Sequence, residues 1–143
     1  MASEEAPAST QHHARVIWEG TQADMRAHRI ELSRQTVLAS SMAELGGDGE
    51  RADPEELFVA SLSSCHMLWF LHLARERQLR VVSYEDEAVG DLDGERITRV
   101  LLRPRVTFEQ EPEGYAVADL HEAAHERCFL ANSVNFPVEV SRP

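Results

Sequence analysis

The chain has 143 residues, a formal net charge of −11, and 43% hydrophobic residues. This length is typical of one globular domain with its own apolar core. All fourteen basic residues are arginine, and the lack of lysine excludes Schiff-base catalysis. An acidic surface repels phosphate backbones and anionic lipid headgroups, so we expect neither a nucleic-acid partner nor a membrane partner.

The first 13 residues are small, polar and acidic. This composition predicts a disordered tail, followed by a single domain over residues 14–143. The tail lacks the basic patch and the apolar stretch of a signal peptide, so we expect a cytoplasmic protein. In that compartment the thiol pool keeps cysteines reduced, and a permanent structural disulfide is not expected.

Alternating apolar residues predict strands on both sides of a central helix. The predicted strands cover residues 14–18, 29–32, 36–40, 80–89, 96–109 and 134–140. Pro104 makes the longest of them an edge strand or the site of a bulge. The strands follow one another as hairpins and not as βαβ units, so the predicted class is α+β with an antiparallel sheet.

Two helices are predicted, and the first begins with a capping-box pattern. Asp53 is its N-cap, and Glu56 is the acidic residue three positions later. Apolar residues from Leu57 to Ala74 cover most of the helix circumference, so protein must enclose it on nearly all sides. One small sheet covers one face, and we expect a second subunit to supply the remaining cover. The second helix is predicted over residues 118–130.

The chain has two cysteines, Cys65 in the first predicted helix and Cys128 in the second. A buried cysteine is usually inert packing, which is the simpler interpretation of both residues. Glu55 and Glu56 open the first helix with carboxylates, and these favour the helix dipole. A purely structural segment has less need of them, so the combination also suggests thiol chemistry.

The chain resembles the OsmC/Ohr family, which includes thiol-dependent organic hydroperoxide reductases. Three segments carry the resemblance: residues 53–57 (DPEEL), 61–65 (SLSSC) and 124–128 (AHERC). The resemblance implies an OsmC-like fold, in which an antiparallel sheet wraps around a long buried central helix and a second helix packs beside it. It also implies an intertwined homodimer.

The resemblance implies a peroxidase for oxidative stress defence. Cys65 would attack an organic hydroperoxide as a thiolate and become a sulfenic acid, which Cys128 would capture as a disulfide. A thiolate in apolar surroundings requires a nearby cation. In the family this is an arginine near the first hairpin, held by the residue that Glu55 matches. Arg26 is the best match for the arginine; the alternatives are Arg29, Arg34 and Arg51.

The resemblance implies a dithiol reductant, either a lipoyl protein or a thioredoxin-like protein, and it implies no cofactor and no metal. We expect a preference for organic hydroperoxides over hydrogen peroxide, because apolar burial of an alkyl or aryl tail favours binding. The residues expected to provide this apolar cover are Leu62, Met67, Trp69 and Phe129.

Glu55 and Cys65 are ten residues apart on one predicted helix. At about 1.5 Å per residue their Cα atoms lie roughly 15 Å apart, which a glutamate side chain cannot span. Either the helix breaks between them, or Glu55 acts on Cys65 of the other subunit. No proline or glycine interrupts residues 56–64, and we therefore expect a homodimer with two composite sites.

Two other functions fit parts of the sequence. His121-Glu122-Ala123-Ala124-His125 matches H-E-x-x-H, which places two imidazoles on one helix face for zinc, with the glutamate as general base. This zinc hydrolase is the less favoured alternative, because no histidine follows His125 as a third ligand. The other alternative is an OsmC-like dimer that binds a small molecule in an apolar pocket without turnover.

Overall fold

The structure is a computed structural model that describes residues 8–19 and 21–141. The element order is β-β-β-α-β-β-β-β-α-β, which confirms the predicted α+β class with two helices. The chain forms two compact units, one ending at Leu57 and one starting at Phe58. Residues 8–14 contain no helix or strand, and residues 1–7 of the predicted tail lie outside the described residues. The single domain over residues 14–143 stays a prediction.

The first unit contains a three-stranded antiparallel meander. Strands β1 (Arg15–Trp18), β2 (His28–Leu32) and β3 (Gln35–Ala39) are adjacent in that order, at the positions predicted from the alternation. A loop with one 3-10 turn follows β3. Arg51 ties this loop to the meander, because its Nη1 donates to the carbonyl oxygen of His28 at 3.1 Å.

Helix α1 runs without a break from Pro54 to Glu76. The predicted capping box is present: the Glu56 amide donates to Asp53 Oδ1 at 2.7 Å, and the Asp53 amide donates to Glu56 Oε1 at 3.0 Å.

The buried residues of α1 follow the spacing of one helix face, whereas Leu68 is 50% exposed. A single chain therefore covers one face of α1 and leaves apolar residues exposed on another. By length and composition alone α1 is long and apolar enough to span a membrane, but a core helix passes the same test.

The second unit contains two sheets that are built from bent strands. β4 (Val81–Asp86) pairs with β7 (Pro104–Phe108), and β5 (Val89–Asp93) pairs with β6 (Arg96–Leu102), both antiparallel. The predicted strands over residues 80–89 and 96–109 were therefore wrong in extent, because each divides into two strands in different sheets. The second divides next to Pro104, where a bulge or an edge strand was predicted. The last strand, β8 (Val138–Val140), is shorter than predicted and pairs in parallel with β6.

The breaks have a physical cause at Pro104 and Asp86. Proline has no amide hydrogen for a ladder, so regular pairing cannot continue through it. Asp86, at the end of β4, stabilises the bend between β6 and β7, because its Oδ1 accepts a hydrogen bond from the Arg103 amide at 2.6 Å. The apolar residues of this segment therefore divide between two clusters: Val100 enters one core cluster and Phe108 enters the other.

Helix α2 runs from Ala116 to Arg127. The predicted helix over residues 118–130 was wrong at its end, because Cys128 lies directly after the helix in extended backbone. The Cys128 amide donates to the His125 carbonyl at 3.3 Å, and the Asn132 amide donates to the Cys128 carbonyl at 3.1 Å. These bonds turn the chain away from the helix axis at Cys128.

A buried pair of imidazoles joins α1 to α2. His66 Nε2 lies 3.0 Å from His121 Nδ1, and the two rings are stacked with their centroids 5.2 Å apart. The ring of Phe70, one turn after His66, lies 4.4 Å from the ring of His121. His66 is 1% exposed and His121 is 5% exposed. One imidazole of α2 is thus held by two side chains of α1.

We expect acid to destabilise the protein through His66. Burial, followed by the charges of His121 and His125, lowers the pKa of His66 from 6.5 to about 4, while Asp86 opposes the shift. The unfolded chain therefore binds more protons than the folded chain as the pH falls through this window. The stabilisation that the buried, neutral His66 contributes to the folded chain is complete above pH 6.5. Its loss should lower the free energy of unfolding by about 3 kcal/mol on the way to pH 4, measured by urea unfolding.

His66→Gln removes the titrating group and should flatten this part of the pH dependence. The exposed residue His12 offers the matched control, because His12→Gln removes an imidazole that is not buried. The same slope in His66→Gln and in the unsubstituted protein would contradict the assignment.

Candidate functional site

The structure brings the two cysteines together in the second unit. Cys65 lies in the middle of α1, and Cys128 lies just after α2. Both are free cysteines, and their thiols share a hydrogen bond. Cys128 is 1% exposed, whereas Cys65 is half-buried. Solvent and small solutes therefore reach Cys65 more easily than Cys128.

The surroundings keep Cys128 protonated. Burial is the main cause that raises the pKa of Cys128 to about 11, and the hydrogen bond with Cys65 raises it further. Both causes favour the protonated form of Cys128. The Ala131 amide donates to Cys128 Sγ at 3.5 Å and opposes the shift. At neutral pH Cys128 is therefore a thiol and not the nucleophilic thiolate.

Two aromatic rings and a guanidinium lie beside the thiols. Trp69 follows Cys65 by one helical turn and belongs to the core cluster that contains Cys128. The ring of Phe129 meets the ring of Trp69 edge-on, with centroids 5.5 Å apart. The Arg127 guanidinium lies over the indole, with Cζ 4.3 Å from the ring centroid. Sequence reasoning did not identify Arg127, although its place directly before Cys128 was an available signal.

The apolar cover differs from the prediction at Leu62. Leu62 is fully buried in the second core cluster, with Val100 and Leu102, so it offers no surface to a substrate. Trp69 and Phe129 are close to the thiol-bearing segments, as predicted, and Met67 is half-buried. The Nε1 of Trp69 is buried and donates to no acceptor within residues 8–19 and 21–141. An oxygen atom of a bound substrate, or a backbone carbonyl of a second subunit, would accept a hydrogen bond from this Nε1.

Glu55 and Arg26 belong to the first unit, and no ion pair joins them among the residues that the structure describes. Glu55 lies in the first turn of α1, where its Oε2 is buried without a hydrogen-bond partner in the described chain. The Arg26 guanidinium packs against Gly46. Its Cζ lies 3.5 Å from the position that a Cβ atom would occupy on that glycine. Among the residues that the structure describes, this carboxylate therefore has no ion-pair partner.

The alternative arginines differ in how far they are engaged. Arg29 Nε lies 3.7 Å from Glu31, and Arg51 Nη1 lies 3.3 Å from Glu19 while it also holds the loop after β3. Arg34 is exposed in the turn between β2 and β3. Because α1 is unbroken, the alternative of a helix break between Glu55 and Cys65 is wrong.

The H-E-x-x-H segment has a packing role at its first residue. His121 is buried, and its Nδ1 is hydrogen-bonded to His66, whereas Glu122 and His125 are exposed. Within the described ranges no group of three or more His, Cys, Asp or Glu side chains could hold a metal ion. The two imidazoles face different surroundings, so this geometry does not favour a zinc hydrolase.

The OsmC-like protein family model matches residues 47–141, which is more than half of the chain. An OsmC-like protein of unknown function from Vibrio cholerae O1 biovar eltor has a similar structure, with a TM-score of 0.86 and 36% sequence identity. That alignment covers 93% of this chain and 99% of the Vibrio chain. A search of curated proteins finds no match.

Two structures at lower identity share the fold. One is an organic hydroperoxide resistance protein OsmC from Legionella pneumophila, with 20% identity, a TM-score of 0.71, and coverage of 95% of this chain and 100% of that chain. The other is an organic hydroperoxide resistance protein from Elizabethkingia anophelis with thiocyanate bound, with 19% identity, a TM-score of 0.68, and coverage of 94% and 99%. The matched family model and the Vibrio relative show that this chain belongs to the OsmC-like protein family.

Proposed function

We propose that this protein is a cysteine-based reductase of organic hydroperoxides that acts in oxidative stress defence. The observation that carries the proposal is the hydrogen-bonded pair of free thiols, one half-buried and one fully buried. Membership of a family whose relatives include proteins named for organic hydroperoxide resistance supports the substrate class. No cofactor is needed for this chemistry, because both redox groups are cysteines.

The proposed reaction begins at Cys65, the more accessible thiol. Its thiolate attacks the terminal peroxide oxygen and the O–O bond breaks, which leaves a sulfenic acid on Cys65. The alkoxide that departs takes up a proton, equivalent to the one that Cys65 lost on ionisation, and is released as the alcohol. Cys128 then forms a disulfide with Cys65 and water is released. A dithiol reductant, a lipoyl protein or a thioredoxin-like protein, restores both thiols by exchange. We also propose a cytoplasmic location, where such reductants keep cysteines reduced.

The groups beside the thiols suit an organic substrate. Phe129 is 45% exposed and touches the buried ring of Trp69, so an alkyl or aryl tail has an apolar surface to cover. The Arg127 guanidinium lies over the indole of Trp69, which follows Cys65 by one helical turn, and it adds positive charge to this region. Hydrogen peroxide has no tail to bury, and apolar burial therefore favours organic hydroperoxides over it.

The proposed activating pair comes from a second copy of the chain. The buried Oε2 of Glu55 lacks a partner in the described chain, and α1 presents an exposed Leu68 that a second subunit would cover. We propose an intertwined homodimer in which Glu55 holds Arg26 close to Cys65 of the partner subunit. The cation stabilises the thiolate. The helix dipole does not do so at Cys65, because its effect is confined to the ends of a helix and Cys65 lies in the middle of α1.

Replacement of each cysteine should block the reaction at a different step. Cys65→Ser removes the nucleophile and should abolish hydroperoxide consumption. Cys128→Ser should permit one oxidation at Cys65 and then stall at the sulfenic acid or a higher oxide. Mass spectrometry of each variant after cumene hydroperoxide measures this. Oxidation retained in Cys65→Ser, with none in Cys128→Ser, would reverse the assignment.

A mixing experiment tests the composite site. Cys65→Ser and Glu55→Ala proteins, each inactive alone, should regain activity after subunit exchange, because one site of the mixed dimer then carries both lesions and the other is intact. At a 1:1 ratio we expect up to about a quarter of wild-type activity. Arg26→Gln in place of Glu55→Ala repeats the test for the arginine.

The matched control mixes Cys65→Ser with Cys128→Ser. Both thiols of a site come from one chain in this proposal, so every site of that mixed dimer carries one lesion and no multiple turnover is expected. If the mixture with Glu55→Ala recovers no activity although mass labelling demonstrates subunit exchange, the proposal of a composite site is contradicted.

A further inference from the structure

The imidazole pair of His66 and His121 adjoins the thiols, yet the proposed peroxide chemistry does not use it. His66 follows Cys65 directly in α1. The packing around the pair, which includes Phe70 and Leu120, is apolar, and apolar contacts have little directional preference. A hydrogen bond between ring nitrogens at 3.0 Å is directional. The pair therefore favours one register of α2 on α1.

A fixed position of His121 also constrains Cys128. Cys128 directly follows the last residue of α2 and has a helical φ of −67°, so its Cα still continues the helical path. At about 100° per residue, the seven positions from His121 place it on nearly the same side of the helix. A slip of α2 by one residue would rotate Cys128 by about 100° around the helix axis. A disulfide requires Cα atoms within about 4.4–6.8 Å, so such a slip would take the sulfurs out of range.

The surroundings keep His66 neutral at neutral pH. Burial and the neighbouring imidazoles of His121 and His125 hold the pKa of His66 at about 4. Asp86 is the opposing charge, and its carboxylate already accepts from the Ser63 hydroxyl and the Arg103 amide. A neutral His66 can still hydrogen-bond to His121 through Nε2, so the contact does not require a buried charge on His66.

We propose that His66 and His121 are positioning residues for disulfide formation, because they hold the two thiol-bearing segments in register. This inference rests on the proposed roles of Cys65 and Cys128. In that step the Cys128 sulfur bonds to the Cys65 sulfur of the sulfenic acid, and the S–O bond breaks. The hydroxyl leaves as water with the Cys128 proton, so no further oxidant or reductant takes part. The first step needs Cys65 but not the register, so the pair acts on the second step.

Two substitutions of His66 separate the hydrogen bond from the packing. His66→Leu fills the site with an apolar side chain and removes the bond, whereas His66→Gln carries an amide to the position of Nε2. We measure the rate of disulfide formation in the full chain with two oxidants, cumene hydroperoxide and diamide. Sulfenic acid formation is measured separately by dimedone trapping in the Cys128→Ser background.

The expected result is a split between the two steps. His66→Leu should slow disulfide formation at least about tenfold with either oxidant, since small errors in position cost large factors in rate. Sulfenic acid formation should keep its wild-type rate, and His66→Gln should recover most of the lost disulfide rate. Equal disulfide rates in His66→Leu and wild type would overturn the inference. Equal slowing of both steps would also overturn it.

A second pair of variants covers the case in which His66→Leu does not fold. His121→Asn places an amide at the position of Nδ1, and His121→Phe keeps a ring without nitrogen. The asparagine variant should form the disulfide faster, and the opposite order would overturn the inference. The diamide arm also separates the two proposals: a disulfide that forms with diamide but not with hydroperoxide rejects the peroxidase, while the comparison of variants still tests the register.

Discussion

The packing of α2 against the middle of α1 is the constraint on which the candidate site depends. Cys65 and Cys128 are distant in sequence, and each alone would be a small apolar residue. The shared core around Phe70 brings their segments together, and α2 ends at Arg127, so that Cys128 occupies extended backbone. The two thiols can then share a hydrogen bond, which helps to raise the pKa of the buried one. Burial separates their roles, because it keeps Cys128 protonated and leaves Cys65 accessible.

Local signals in the sequence predicted the start of α1 and the first three strands. The capping box of Asp53 and Glu56 lies within one helical turn, and alternation within a strand needs no distant partner. In the later strands Pro104 was a local signal for a bulge or an edge strand. The break at Asp86 was not predictable in this way, since Asp86 hydrogen-bonds to Ser63 and Arg103, which are distant in sequence. The end of α2 was missed because the apolar residues after Arg127 continue a helical pattern, while backbone hydrogen bonds around Cys128 end it.

In the candidate site, too, the sequence identified some residues and missed those whose contacts join distant segments. The resemblance identified both cysteines, and the structure places their thiols in contact. Arg127 over Trp69 and the pairing of His66 with His121 were missed, because each contact joins α1 to the region of α2. The roles of Glu55 and Arg26 stay predictions. Oε2 of Glu55 and Nε1 of Trp69 have no hydrogen-bond partner among residues 8–19 and 21–141, which is what a chain that completes its site with a substrate or a second subunit would show.

The central claim is that the two thiols form one redox pair, and intact-mass analysis after a single equivalent of cumene hydroperoxide tests it most directly. A redox pair predicts that the reduced chain loses the mass of two hydrogen atoms, that peptide mapping joins Cys65 to Cys128, and that a dithiol reverses the change. A chain that gains the mass of oxygen atoms without forming this disulfide, or that stays unmodified, would contradict the account.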